Sequence, residues 1–329
     1  MHLPGLGTFE EAEFVRLERT SDGRFATGAS GVEVVAATLD RKVEWVGFPS
    51  HTLACVRSAL GYPAYYPVEP VRIERPVRAV LMDLDGTSVR SEHFWVWIIE
   101  QTTGSLLGRR DFTLEPADLP FVAGHSVSEH LQHCVAKYCP GRTLEDARRL
   151  YFEHTHREMQ AILDGRGRVG AFEPAPGLEE FLRVLKARGV RIALVTSGLH
   201  EKAWPEIVAV FRQMALGDPA TFYDAIITAG FPLRPGSAGT LGELSPKPHP
   251  WLYAEACRVG LGIPFDHRSH VIGLEDSAAG ICAVRLAGFA PVGMAGGNLA
   301  QGGTRPLCHA YCASFDEVLA MIDEPSCRP

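Results

Sequence analysis

The sequence predicts an α/β protein with three parts. These are a doubly wound parallel sheet, a helical block inserted after the first strand of that sheet, and a small β-rich module in front of it. Three observations lead there. After Pro174-Ala175-Pro176-Gly177 the chain alternates helix and strand patterns to its end. Far upstream, Val77-Arg78-Ala79-Val80-Leu81-Met82 is a short, mostly apolar run of the kind that fits a fully buried parallel strand. Between the two, from about 90 to 170, the sequence holds no convincing strand.

Residues 1–76 read differently from the rest. FVRLERTSDGRFATG and VEVVAATLDRKVEWVGF contain β-rich runs broken by Ser21-Asp22-Gly23 and Leu39-Asp40-Arg41, which predicts hairpins. HTLACVRSALG is read as a short amphipathic helix ended by Gly61. YPAYYPVEPVRIERP, with four prolines, is read as a linker or an extended segment packed on a neighbour. The segment has eight basic against ten acidic residues, so it is no basic nucleic-acid arm. Its function is not legible from sequence.

After the strand at 77–83, helices are expected at about 91–102, 126–138 and 143–163, separated by Gly- and Pro-bearing loops. Then helix 178–188 leads to strand VRIALVT, helix 200–215 to YDAIIT, and helix 249–259 to HVIGLED. Helix 277–287 leads to FAPVGM, and AYCASF precedes a last helix at 316–322. Such alternation argues for a parallel sheet with helices on both faces. The expected boundaries are 1–76 for the N-terminal module, 77–89 with 173–329 for the core, and 90–172 for a helical cap.

Length and composition narrow the function. The 329 residues, 46% hydrophobic and 22% charged, suit a soluble protein of two or three compact units. A net charge of −7 argues against a general nucleic-acid binder, although a local pocket can still attract anions. The start lacks a cationic segment followed by an apolar run, and charges such as Arg285 interrupt the apolar stretches. A cytoplasmic protein with no membrane partner is the expectation. The eight cysteines form no CxxC pair and sit mostly in apolar patterns, which reads as buried reduced thiols. Cys308, His309 and Cys312 sketch half a zinc site, with no second pair at ligand spacing nearby.

The chemistry concentrates at strand ends. Asp83-Leu84-Asp85-Gly86-Thr87 follows the first core strand directly, so two carboxylates spaced i, i+2 project into the crevice where open α/β sheets bind ligands. An Asp-Gly turn is by itself commonplace. VRIALVT ends in Thr196-Ser197-Gly198, whose hydroxyl and loop amides suit phosphate oxygens. Lys247, in SPKPHP, offers a point charge. HVIGLED ends in Glu275-Asp276-Ser277, which places Asp276 to bind a hard cation. Each has a bland alternative, such as helix N-caps for Ser197 and Ser277 or a solvated Lys247. Four of them in order at strand ends are hard to assign to chance.

DLDGT, VTSG, the lysine of SPKPHP and GLEDSAAG resemble, in order, the four signature motifs of haloacid dehalogenase-like hydrolases. The likeness covers residues 77 to about 322. With its helical insert, the chain resembles the subgroup of β-phosphoglucomutase and the sugar- and glycerol-phosphate phosphatases. The resemblance implies a Rossmann-like core. It also implies Asp83 as the nucleophile that forms an aspartyl-phosphate, and Asp85 as general acid and then base. Mg2+ would be held by Asp83, the backbone carbonyl of Asp85, and Asp276, with Glu275 standing behind them. Thr196 and Lys247 would neutralise the transferring group, and Ser197 and Gly198 would bind phosphate. The implied substrate is a small phosphorylated metabolite.

Departures from relatives sharpen this. Asp85 is kept, whereas dehalogenases and phosphonatases of the superfamily lack it, so a phosphate ester is favoured. The mutases place a histidine twelve residues after the nucleophile. This chain has Trp95 there, with His93 two residues earlier, which favours water as acceptor. GHSVSEHL matches the place of the substrate-specificity loop, so Gly124, His125, Ser126 and Glu129 are candidate substrate contacts, with helix capping by Ser126 or Ser128 the bland alternative. His154 and His156 are read as solvated helix positions. The glycines of GMAGGN are weak evidence for nucleotide binding, because they lack a GxGxxG frame. The runner-up functions are a phosphosugar mutase and a regulatory protein that has lost turnover.

Overall fold

The computed structural model describes residues 1–57, 63–118, 127–229 and 245–324. The chain divides into two compact units. One comprises Met1–Ser88, Pro176–His200 and Ala220–Pro329; the other comprises Val89–Ala175 and Glu201–Pro219.

The first unit is built on a six-stranded, wholly parallel sheet. Its strand order is Ala225–Ala229, Arg191–Leu199, Ala79–Asp83, Val271–Glu275, Ala290–Met294 and Ala310–Cys312. Ala79–Asp83 and Val271–Glu275 are buried at every position, as strands covered on both faces must be. From Ala79–Asp83 the chain steps outward through Arg191–Leu199 to Ala225–Ala229. It then returns to the other side of Ala79–Asp83 and steps outward again. The order therefore reverses between Ala79–Asp83 and Val271–Glu275, and ligand crevices form beyond the carboxyl ends of strands at such a switch point.

Helix Trp251–Glu255, continued by a π turn Ala256–Gly260, and helix Ala278–Leu286 cover one face. Leu252, Tyr253, Ala256, Ala283 and Val284 pack there on Ala79, Leu81, Ala193 and Val195. The regular helix is shorter than the expected 249–259. Helices Leu178–Ala187 and Phe315–Asp323 are joined by Phe181 and Phe315, stacked 4.7 Å apart.

Residues 1–76 contribute a five-stranded antiparallel sheet to the same unit, in the order Val15–Leu17, Val34–Ala37, Val43–Gly47, Thr52–Val56, Ala64–Pro67. The expected hairpins are present. The expected helix in HTLACVRSALG is not: Thr52–Val56 is a strand, and residues 58–62 lie outside the described ones. The reason is period-2 patterning. Ala54 and Val56 face the same way as Trp45 and Val43, while Leu53 joins a separate cluster with Val35 and Val46 on the opposite face. The Pro-rich stretch begins with an edge strand, where the missing N–H of Pro67 is tolerated.

The inner face of this sheet, with Trp45, Ala54 and Val56, shares one apolar cluster with Ile281 and Cys282 of helix Ala278–Leu286 and with Leu299 and Leu307. Arg285 of that helix, 3% exposed, donates to the carbonyls of Glu69, at 2.6 Å, and Gly5. A buried guanidinium is tolerable only with acceptors of this kind. The N-terminal sheet is therefore built onto the core.

The second unit contains helices Glu92–Leu107, Val127–Tyr138 and Leu144–Leu163. Its base is closed by the two-stranded pairing of Val89–Arg90 with Glu173–Pro174. Helix His200–Met214, read from sequence as part of the core, belongs from Glu201 onward to this unit. Its Arg212 donates to the carbonyls of Ile162 and Leu163 at 2.8 and 2.7 Å, which satisfies the end of helix Leu144–Leu163. Asp118, 1% exposed, accepts from Lys137 at 2.8 Å, from the Glu115 amide at 3.1 Å and from Tyr138, and lies 2.7 Å from His133 Nε2.

His154 is a small correction to the sequence reading. It is half-buried, with Nε2 2.9 Å from Ser105 Oγ and Nδ1 2.9 Å from Arg157, whereas His156 is exposed as expected. The described cysteines are all free, six of them buried and Cys308 half-buried. Cys327 lies outside the described residues. No helix among the described residues is long and apolar enough to cross a membrane.

Candidate active site

The fold brings the four sequence motifs into direct contact around Lys247 and Asp276. Asp83 closes its strand opposite Val195 and is 6% exposed. Lys247 Nζ contacts Asp83 Oδ1, lies 2.6 Å from Glu275 Oε1 and donates to the Val195 carbonyl at 3.2 Å. Carboxylate oxygens of Asp83, Glu275 and Asp276 all lie within 4.8 Å of one another. Thr87 Oγ1 donates to Asp276 Oδ1 at 3.3 Å, and Ser88 Oγ donates to the Asp83 carbonyl at 2.5 Å. Asp85 is half-buried in the turn that follows.

The backbone permits this crowding at two glycines. Gly86 has φ +84°, and a Cβ there would meet Asp276 Oδ2 at 2.2 Å. Gly280 sits against Glu275, whose carboxylate oxygens would lie 2.0 and 2.1 Å from a Cβ.

The second motif contributes through its hydroxyls. Thr196, 1% exposed, accepts from the Gly198 amide at 2.9 Å, and Ser197 Oγ accepts from the Lys247 amide at 3.1 Å. Ser197 thus holds the backbone of the lysine segment and does not cap a helix. Ser277, by contrast, does cap its helix: Oγ accepts from Gly280 N–H at 3.1 Å and also donates to Glu275 Oε2 at 3.0 Å.

One ammonium faces three carboxylates here. Burial first and Glu275 second push Asp83 well above the ordinary carboxylate range, against the pull of Lys247. The same two causes push Asp276 up to about 7. Burial alone would lower Lys247, but Asp83 and Glu275 reverse that and hold it above its ordinary value, so it stays cationic. A second cation would relieve this excess of negative charge, and a donor set made only of carboxylate oxygens suits a hard divalent ion. The residues present therefore fit a metal of that class.

Residues 77–288 match the family described as haloacid dehalogenase-like hydrolases. The chain belongs to that family. No curated protein matches the chain. Among solved structures it is similar to a predicted phosphoglycolate phosphatase from Haemophilus somnus 129PT, with 18% identity and a TM-score of 0.55, over 75% of this chain and 98% of that one. CbbY from Rhodobacter sphaeroides in complex with phosphate gives 22% identity and a TM-score of 0.51, over 75% of this chain and 100% of that one. A putative β-phosphoglucomutase from Thermotoga maritima gives 18% and 0.51, over 74% of this chain and 98% of that one. At these identities the likeness is one of fold.

Glu275 is held by donors on several sides. It is fully buried, and Oε1 accepts from Tyr253 OH and from Lys247 while Oε2 accepts from Ser277. Tyr253 was not singled out from sequence. Burial and then Glu275 push its phenol well above the ordinary range, so it remains a donor. A tyrosine six residues after the motif lysine, on the buried face of the next helix, was the available signal. Asn298 was also missed. The GMAGGN segment binds protein: Asn298 N–H donates to the Asp276 carbonyl at 3.1 Å, and its Oδ1 accepts from the Ala278 amide at 2.7 Å.

In the helical unit, Lys202 Nζ lies over the Trp95 ring, 4.0 Å from its centroid, and His93 Nε2 lies 2.6 Å from the Gly170 carbonyl. Gly124, His125 and Ser126 lie outside the described residues, as does the insert at 233–244. Glu129 stands on helix Val127–Tyr138.

Proposed function

We propose that the chain is a Mg2+-dependent phosphomonoesterase that acts on a small phosphorylated metabolite, a sugar or polyol phosphate, through an aspartyl-phosphate on Asp83. The observation that carries this reading is the contact of Lys247 Nζ with both Asp83 and Glu275 at the carboxyl end of the central strand. It sets a fixed cation beside the carboxylate oxygen that this reading assigns to attack phosphorus.

In this mechanism an Asp83 oxygen attacks phosphorus while Asp85 gives its proton to the departing alkoxide. Asp85 then takes a proton from water, which attacks the aspartyl-phosphate, releases phosphate and restores Asp83. Lys247 and the Thr196-Ser197-Gly198 turn bear the charge of the transferring group, and preorganised charge of this kind supplies most of the catalysis in phosphoryl transfer. Asp83 and Asp276, with the Asp85 carbonyl, would hold Mg2+, which when bound adds divalent charge beside the phosphoryl oxygens. Glu275 is assigned to hold Lys247, with Tyr253 fixing Glu275. The helical unit, with Gly124, His125, Ser126 and Glu129, is assigned to substrate choice.

Water is the proposed acceptor because an indole at position 95 has only an N–H to donate and cannot accept a proton from an incoming sugar hydroxyl. Phosphorus NMR on the enzyme with glucose 1-phosphate, a trace of the bisphosphate and Mg2+ tests the reading. Release of inorganic phosphate is expected. Rapid conversion to glucose 6-phosphate with little free phosphate would replace the phosphatase by a mutase. No turnover of this ester, of p-nitrophenyl phosphate or of any of a panel of phosphorylated metabolites would leave a regulatory protein.

A further inference from the structure

The N-terminal sheet lies outside the stretch matched to the hydrolase family, which begins at residue 77. One of its side chains nevertheless reaches the segment that carries Lys247. Tyr66, on the edge strand Ala64–Pro67, has its OH 2.7 Å from Nδ1 of His249, two residues after the lysine. Its ring meets His249 and Trp251 edge-on, each at 5.9 Å between centroids. His249 is 1% exposed. Burial keeps the Tyr66 phenol protonated and the His249 ring neutral, so one neutral hydrogen bond joins the phenol oxygen to Nδ1. The other ring nitrogen, Nε2, is a buried atom with no partner among the described residues. Tyr66 is thus the one polar contact of the His249 side chain among those residues.

We infer that Tyr66 and His249 are positioning residues for Lys247, so that the added N-terminal sheet is a working part of the active site. Lys247 has a long, flexible stem, and a point charge stabilises a transition state only while it is held in place. Three ties hold its segment. The Lys247 amide donates to Ser197 Oγ at 3.1 Å, the His249 amide closes a turn onto the Pro246 carbonyl at 3.1 Å, and the His249 ring is fixed by Tyr66. The first two hold only the backbone. The third anchors a side chain to a different sheet, and that sheet shares one apolar cluster with Ile281 and Cys282 of helix Ala278–Leu286, whose Arg285 also holds the carbonyls of Glu69 and Gly5 in the N-terminal segment. The lysine and the carboxylates are thereby referred to one frame.

This inference rests on the phosphatase reading for its kinetic test and on geometry alone for its second test. In the full-length protein, Tyr66→Phe should lower kcat on p-nitrophenyl phosphate about tenfold with KM changed less than about twofold, since misplacing a catalytic group by an ångström costs up to about a hundredfold. His249→Ala should match it. His249→Asn, whose amide oxygen takes the place of Nδ1, should recover most of the rate. Added to Lys247→Ala, Tyr66→Phe should cost nothing further, because the group it positions is gone. Hydrogen exchange in the peptide 245–255 should quicken in Tyr66→Phe while 79–83 stays unchanged. Full activity in Tyr66→Phe, or an equal loss in the Lys247→Ala background, would overturn the proposal. If the wild type hydrolyses no phosphate ester, the function fails on its own account and exchange decides: unchanged exchange at 245–255 overturns the clamp, and quickened exchange confined to it sustains it.

Discussion

Gly280→Ala sets two effects of opposite sign against each other. Gly280 lies in the first turn of helix Ala278–Leu286, where alanine is intrinsically better than glycine by about 1 kcal/mol. Judged by helix propensity alone, the substitution stabilises. The added Cβ, however, would stand 1.9 Å from the Glu275 carboxyl carbon and 2.0 and 2.1 Å from its oxygens. Ordinary contact begins near 3.4 Å, so the carboxylate must retreat by more than an ångström. It is fully buried, and in moving it leaves Lys247, Tyr253 and Ser277. Breaking a buried ionic contact costs about 3–5 kcal/mol. The clash therefore wins, with a net loss of about 2–4 kcal/mol after the propensity gain is deducted. Turnover should fall about a hundredfold, because Lys247 loses the partner that fixes its tip. Denaturant unfolding and p-nitrophenyl phosphate hydrolysis with Mg2+ measure both. Gly141→Ala, where a Cβ meets nothing within 4 Å, is the control and should leave both unchanged. A Gly280→Ala protein that is more stable than wild type, or that keeps a third of its rate, would refute the tight packing of Glu275 and the role built on it.

Asp83→Asn should abolish turnover and leave circular dichroism and the melting temperature near wild type, since shape and burial are kept while the attacking oxygen is lost. Chelation should stop hydrolysis, and Mg2+ should raise the melting temperature of the chelated protein, because three clustered carboxylates face a single lysine. Asp118 is held well below its ordinary value of 3.8: burial works against this, and Lys137, Tyr138 and His133 override it. Its stabilisation is present above that ordinary value and is lost as pH falls toward the lower folded value. Near-ultraviolet signal from the helical unit should fade below about pH 4, and Asp118→Asn should flatten that dependence while costing about 2–3 kcal/mol at pH 7. His125→Ala and Glu129→Ala should shift the ranking of phosphorylated metabolites while sparing p-nitrophenyl phosphate. An equal loss on every ester would remove these residues from substrate choice.

Much of the core was legible because the rules that shape it are local. A parallel strand buried on both faces is a short apolar run, and ligand crevices form at its carboxyl end, so Asp83 and Thr196, which close such runs, and Asp276, which follows one, announce themselves. Thr52–Val56 shows where local reading fails. HTLACVRSALG has apolar residues that satisfy both a helical stripe and a period-2 alternation over so short a window. Pairing with Val43–Gly47 and Ala64–Pro67 decided between them, and that is tertiary information. The same holds for helix His200–Met214. Its amphipathic pattern predicts a buried face but does not say that Arg212 will close the end of a helix fifty residues earlier.

The residues that hold the site were harder to see than those that form it, and chemistry explains the difference. A nucleophile or a metal ligand needs a particular functional group at a strand end, which sequence displays. A residue that holds Glu275, Asp276 or Lys247 needs only a hydrogen-bonding atom at the right point in space, and Tyr253, Asn298 and Tyr66 supply one from the next helix, from a loop after the following strand and from a separate sheet. Each contact answers a demand created by burial. Glu275 is fully buried and accepts hydrogen bonds from Tyr253, Lys247 and Ser277. Asp276 is propped from behind by Asn298, and the His249 ring would lose its polar partner without Tyr66. Burying charge at a phosphoryl-transfer site strengthens its electrostatics and raises the cost of each unmet donor or acceptor. The site is therefore held by more of the chain than the residues that touch substrate, and in this protein that support extends into a sheet that stands outside the family match.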